Sequence, residues 1–216
     1  MSKGIIITRP HHDYATQYLT DASKRILEEA EQRNIPVKEL RGEKANKNDT
    51  TQCIKKLSHK LIIFNGHGTE DTIYGHDNEP LITADINDTI LKRKITCARA
   101  CSTGHTLGQH FNNEQEGCFI GYTQPFMFYI EANRQSTPHK DTIAPLFLQP
   151  SNEIPRMLIK GHTAKQAHEK GRQQTLKNIQ RVLKRGGKES YSYAEKLWNN
   201  YEGQILAGNE NATIND

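Results

Sequence analysis

Apolar residues along this chain gather into two alternating kinds of run. The first kind is short and mostly continuous: Ile5, Ile6 and Ile7 within Lys3–Thr8, then Leu61-Ile62-Ile63-Phe64, Lys94–Cys101 and Cys118–Thr123. Runs of this length predict buried strands, and Ile35–Leu40 reads as a further short one. The second kind is spaced. Ala15, Leu19, Ala22, Ile26, Leu27 and Ala30 recur at helical intervals and predict one amphipathic helix over Asp13–Asn34. Helices are also expected over Asp49–Ser58 with Asp49 or Thr50 as cap, over Thr83–Leu91, and from Ser102 to Asn112. Further helices are predicted at Asp141–Leu148, Ala164–Leu183 and Tyr191–Ile205, and Thr72–Leu81 reads as a small hairpin.

Strands alternating with helices at this spacing call for a mostly parallel central sheet flanked by helices, a three-layer α/β domain. No internal repeat or domain boundary interrupts the pattern. A single domain over residues 1–207 is expected, with the polar residues 208–216 as a flexible tail. The pattern dissolves only between Gln124 and His139. There an apolar stretch (Phe126, Met127, Phe128, Tyr129) gives way to polar residues, as in a functional lid.

Composition narrows the picture slightly. The 216 residues are long enough for one substantial core, and the formal net charge of +4 is only mildly basic. No stretch approaches the ~18–20 apolar residues of a membrane span, and the first apolar run is too short for a signal peptide. Cys53, Cys97, Cys101 and Cys118 sit singly, which suggests reduced thiols in a cytoplasmic protein. His11, His12, His76, His105 and Cys97 show no zinc-ligand spacing, and no dense acidic loop marks a calcium site. No metal or other cofactor is therefore expected. The basic run from Arg156 to Lys188 reads as a solvated helix face, with nucleic acid not expected as a partner.

Candidate chemistry lies at two strand ends. One apolar run stops at Asn65-Gly66-His67-Gly68 and the next at Ala100-Cys101-Ser102. Parallel sheets bind ligands just beyond their carboxyl edge, so these ends would bring an imidazole and a thiol together. A thiol attacks as thiolate, and a neighbouring imidazole can take its proton. The Gly68 and Cys101 amides, both on backbone leaving a strand, would be oxyanion donors. A helix opening at Ser102 would favour the thiolate by its N-terminal charge.

The Asn65-Gly66-His67-Gly68 and Ala100-Cys101-Ser102-Thr103-Gly104 blocks, each closing an apolar strand, resemble the caspase-like clan of cysteine peptidases. That clan contains caspases, metacaspases, clostripain, gingipains, legumain, separase and bacterial CHAT proteases. Ala144-Pro145-Leu146-Phe147 through Lys160-Gly161-His162-Thr163-Ala164 to Ala167 resembles the end of a CHAT or separase domain. The resemblance implies a caspase-haemoglobinase-like fold, His67 as base and Cys101 as nucleophile. It further implies a protein substrate and activation by a partner or by loop cleavage, as in prokaryotic defence or signalling cascades. An activating protease or a regulatory protein would then be the partner.

The resemblance also makes Arg99 a candidate for the S1 pocket, because residue 99 shares a strand face with Cys101. A free guanidinium there would favour an acidic P1 residue. The alternative is that Arg99 pairs with Asp13, Glu131 or Asp141, and two acids lining the pocket would favour basic P1. Two other functions stand beside the peptidase. One is a catalytically inactive binding module using the basic C-terminal helices, and the other is a small-molecule amidase with the same nucleophile.

Overall fold

The computed structural model describes residues 2–216. In chain order its elements are β1 (Ser2–Arg9), α1 (Tyr14–Ala22), α2 (Lys24–Gln32), β2 (Val37–Arg41) and α3 (Lys47–Lys56). There follow β3 (His59–Asn65), β4 (Thr72–Tyr74), β5 (Pro80–Thr83), β6 (Ile95–Arg99) and β7 (Cys118–Tyr122). The chain closes with α4 (Ala144–Ile159), α5 (Ala164–Arg185), α6 (Ser190–Gly203) and β8 (Gln204–Gly208).

Alternation within the apolar runs decides how these elements stack. In β1 and β3, Ile5, Ile7, Leu61 and Ile63 join one core cluster, while Ile6, Ile62 and Phe64 join another. A strand buried on both faces needs a cover on each. Ile26 and Ala30 of α2, Ile154 and Leu158 of α4, and Ala167 of α5 cover the first face. Ile54 of α3, the β4–β5 hairpin, Leu91, Leu107 and Phe111 cover the second. The result is a six-stranded sheet in the order β2-β1-β3-β6-β7-β8, parallel except for β8, with helices on both sides. The chain moves from β1 outward to β2, then back past β1 to β3, so the strand order reverses between β1 and β3. A crevice opens at such a point beyond the strand carboxyl ends.

Several elements differ from the sequence expectation, each for a local reason. The single helix over Asp13–Asn34 divides at Ser23 into α1 and α2. Side chains claim carbonyls near that break: Arg9 donates to Thr20 O, Asn152 to Ala22 O, and the Ser23 hydroxyl to Thr20 O. α3 begins earlier than expected because Asn46, rather than Asp49 or Thr50, is the cap, its Oδ1 accepting from Asp49 N at 2.8 Å. Thr83–Leu91 forms only a turn and a short 3-10 segment over Asp88–Leu91. Asp85 is left-handed (φ 60°), and the Asn87 side chain takes Thr83 N and Leu81 O into its own turn.

Ser102–Asn112 likewise lacks an α-helix. Ser102 is left-handed (φ 58°), and the Ser102 and Gly104 amides donate to Gln124 O and Tyr122 O. Only Leu107–Phe111 closes into a 3-10 turn. α4 continues past Leu148 although Pro150 and Pro155 lie inside it. Pro150 cannot donate to the Leu146 carbonyl four residues back, and Asn178 Nδ2 of α5 does so instead at 2.6 Å.

At the C-terminal end, α6 stops at Gly203 and β8 pairs antiparallel with β7. Residues 208–216, expected as a flexible tail, lie against the domain. Ala212 and Ile214 are buried in the first core cluster, and Ala212 O accepts from Ala164 N at 3.0 Å.

Behind the sheet, the Glu29 carboxylate is buried and ion-paired to Arg33, Arg156 and Lys160. Burial pushes this carboxyl up, but the hydrogen bonds from Arg33 and Arg156 outweigh it and hold it below its ordinary value. A depressed carboxyl stabilises the fold above its unfolded pKa and loses that contribution as pH falls through the lower folded one. Glu29→Gln should therefore cost about 1–3 kcal/mol in urea denaturation at pH 7. The difference from the parent should shrink steadily below pH about 4, starting near the unfolded carboxyl value.

Candidate active site

Parallel pairing fixes the relation between the two candidate side chains. β3 and β6 run in register to Asn65↔Arg99, and the Gly66 amide donates to Arg99 O. His67 and Cys101 each stand two residues beyond that last pair, at neighbouring strand ends. The glycines around His67 have steric reasons to be there. A Cβ on Gly66 would lie 2.2 Å from Tyr74 O, and one on Gly68 would lie 2.6 Å from Cys101 O. The Gly-His-Gly backbone is thus wedged between the β4 strand and the Cys101 segment.

A third residue arrives from the end of β1. Asp13 caps α1: its Oδ1 accepts from Thr16 N at 2.7 Å, and its Oδ2 lies 2.6 Å from His67 Nε2. Burial pushes the Asp13 carboxyl up, yet the bonds from Thr16 and His67 outweigh it and bring it to about 2. The carboxylate is then an acceptor only, so His67 Nε2 carries the proton and donates. Nδ1 makes no hydrogen bond among the described residues. Asp13, expected as a pocket acid, instead orients the imidazole.

Cys101 is half-buried beside Tyr18, Leu19, Tyr122 and Phe126, with its Sγ 3.9 Å from Phe126 O. Burial pushes the thiol above its ordinary value. The expected helix N-terminus at Ser102 is absent, so no helix charge lowers it. Gly68 and Ile73 form a bridge whose hydrogen bonds belong to their neighbours, Tyr74 N to His67 O and Thr69 N to Thr72 O. Neither the Gly68 nor the Cys101 amide makes a backbone hydrogen bond among the described residues.

Arg99 lies on the same face as Cys101 but underneath it, 6% exposed. Its guanidinium donates to Asn65 Oδ1 (3.0 and 2.5 Å), Asn152 Oδ1 (2.8 Å), Ser151 Oγ (3.2 Å) and Leu19 O (3.0 Å). Asp13, Glu131 and Asp141 are not its partners. Burial pulls Arg99 down to about 10, which leaves it charged at neutral pH. Asp141 is itself buried, accepting from Tyr18 Oη, Glu131 N, Ile143 N and Ala144 N, all at 2.8 Å. Burial pushes its carboxyl up, but these donors outweigh that and hold it below its ordinary value. Glu131 accepts from the Thr142 amide and hydroxyl. These two acids fasten the irregular segment to the start of α4.

The same segment is pinned to α6, where the Asn200 side chain exchanges hydrogen bonds with Met127 N and O and Tyr129 Oη meets Ser192 Oγ. Phe126 and Phe128 join Tyr18, Tyr122 and Cys101 in one apolar cluster. This loop packs against the thiol, which stays partly exposed. The basic residues Lys177, Arg181, Lys184 and Arg185 lie on the exposed part of α5.

Sequence spacing offers no hint of a metal site, but folding brings His12, Asp13 and His67 together, with one potential ligand atom of each within 4.8 Å of the others. His12, His76 and Asp77 form a second, overlapping group.

Two outcomes follow from this geometry. Replacing Arg99 by Met would strand Asn65 Oδ1 and Asn152 Oδ1, and should cost about 2–5 kcal/mol in urea denaturation; a loss within noise would show that these groups find other donors. Alkylation of Cys101, followed at peptide level by mass spectrometry, should rise with pH to a midpoint above the ~8.5 of a free thiol. A midpoint well below that would mean a preformed thiolate. No family model and no curated protein matches this chain.

Proposed function

We propose that this chain is a cysteine endopeptidase of the caspase-like type, with Cys101 as nucleophile and His67 as general base. The observation that carries this reading is the ending of two neighbouring parallel strands in a thiol and an imidazole whose Nε2 is held by an ionised carboxylate. The caspase-haemoglobinase-like form of the α/β fold and a cytoplasmic setting belong to the same proposal.

The chemistry follows from the local charges. Burial keeps the thiol protonated at neutral pH, so His67 Nδ1 removes its proton as sulfur attacks the scissile carbonyl carbon. Asp13 stabilises the imidazolium that forms and fixes which nitrogen is free to accept. The carbonyl oxygen gains charge in the tetrahedral intermediate, and the Gly68 and Cys101 amides are the donors available to it. Collapse expels the amine, which takes the proton from His67 and leaves an acyl-enzyme thioester. Water, deprotonated by the same nitrogen, then hydrolyses it.

The segment around Phe126 packs against the thiol and is tied to α6, so its movement would widen the access of a protein substrate to Sγ. Activation by a partner or by cleavage within the loop fits this arrangement. Residues 132–136, bounded by the Glu131 and Asp141 anchors, are largely exposed.

The test is hydrolysis of a peptide library by the purified chain, before and after limited proteolysis. Cys101→Ala should abolish turnover. Asp13→Asn keeps a good helix cap but loses the charge, and should lower kcat about a hundredfold or more, as removal of a base's orienting partner does. Cleavage by the Cys101→Ala chain at more than a few per cent of the parent rate would exclude the assignment.

A further inference from the structure

A histidine that the proposed chemistry does not use points at the same site. His12 stands three residues beyond the end of β1, and its side chain is only 10% exposed. Neither ring nitrogen makes a hydrogen bond, although both are buried. An imidazole enclosed in this way ordinarily finds a partner for at least one nitrogen. Its Nε2 lies 3.7 Å from Asp13 Oδ2, the same oxygen that receives His67 Nε2, and the His12 and His67 rings meet edge-on with centroids 5.8 Å apart.

From this geometry we infer that His12, Asp13 and His67 form a binding site for a divalent transition metal of the zinc class. Two imidazole nitrogens and one carboxylate oxygen are a ligand set that such ions take, with a fourth position left open to water. The carboxylate is prepared for it. Thr16 occupies Oδ1 through its amide and hydroxyl, so Oδ2 is left for the cation and its direction is fixed. Ligands about 2.0–2.1 Å from a tetrahedral ion stand about 3.3 Å apart, between the two separations seen here. His67, 39% exposed on its side chain, has room to swing outward from Asp13 by that difference.

Occupancy has a consequence that rests on the peptidase reading. Metal at His67 Nε2 needs the lone pair of that nitrogen, so the proton now donated to Asp13 moves to Nδ1. No proton is gained or lost overall, but the lone pair that would deprotonate Cys101 is gone. The cation therefore blocks the base without touching the thiol, and its removal restores the base.

The experiment uses the full chain carrying Cys101→Ala, so that sulfur cannot contribute a ligand, titrated with zinc by calorimetry. One ion per chain should bind. His67→Gln, at a half-exposed position, should weaken binding tenfold or more, and His12→Gln should do the same. His76→Gln should leave affinity within about twofold, because it belongs to the other group of potential ligands. An absence of saturable binding, or a loss with His76→Gln that His67→Gln does not share, overturns the site. A second arm adds zinc to the intact chain freed of metal by a chelator. Turnover should fall over the concentrations at which the ion binds and return with chelator. Binding with unchanged or increased turnover overturns the inhibitory role. A chain inactive even in chelator after loop cleavage counts against the peptidase reading, while the calorimetric titration still decides the metal site.

Discussion

A buried guanidinium under the sheet's carboxyl edge holds together the parts from which the candidate site is built. Arg99 of β6 binds Asn65 of β3, whose own amide nitrogens donate to the hydroxyl and carbonyl of Thr8 in β1. These are the strands that lead to Cys101, His67 and Asp13. The same guanidinium reaches Leu19 O of α1 and Asn152 and Ser151 of α4, so the helices over the crevice share the anchor. Taking a charge out of water costs several kcal/mol unless hydrogen bonds replace the lost hydration. Here neutral acceptors do that, and their directions fix how three strands and two helices meet. A polar network satisfied in this way specifies one arrangement, whereas an apolar plug of equal volume would tolerate sliding.

That network explains which parts of the site could be read from the sequence. His67 and Cys101 stood out because each follows a short, mostly apolar run, and burial on both sheet faces makes such runs conspicuous. Arg99 was assigned to the correct face, since alternation puts it with Cys101, but the resemblance to the caspase-like clan suggested a pocket there. Nothing local reveals that neutral groups from 34 to 80 residues away complete its bonding. Asp13 as the partner of His67 is hidden similarly, 54 residues away in the chain and already plausible as a helix cap. His12 gives no signal at all, because its meaning depends on what surrounds its ring.

The secondary structure divides along comparable lines. Parallel core strands were legible; helices failed where side chains competed for backbone groups, as Asn87 does, or where the chain turned left-handed, as at Asp85 and Ser102. β8 was not expected, since its first residues, Gln204 and Ile205, fall at the end of the helix predicted over Tyr191–Ile205. The glycines flanking His67 look like functional residues in the sequence. Their close approach to Tyr74 O and Cys101 O shows that packing alone would require them, whatever chemistry the imidazole performs.

The antiparallel β8 also sets an order of events during synthesis. β7 ends at Tyr122 and its outer partner ends at Gly208, with roughly 80 residues between them. At about 5–20 residues per second, the ribosome takes on the order of ten seconds to supply that partner. Through this interval the strands bearing all three site residues are already made, while β7 presents an unpaired edge to other chains. Gln204 to Gly208 thus protect the newborn sheet from its neighbours, and the last turns of the chain, with Ala212 and Ile214, seal it.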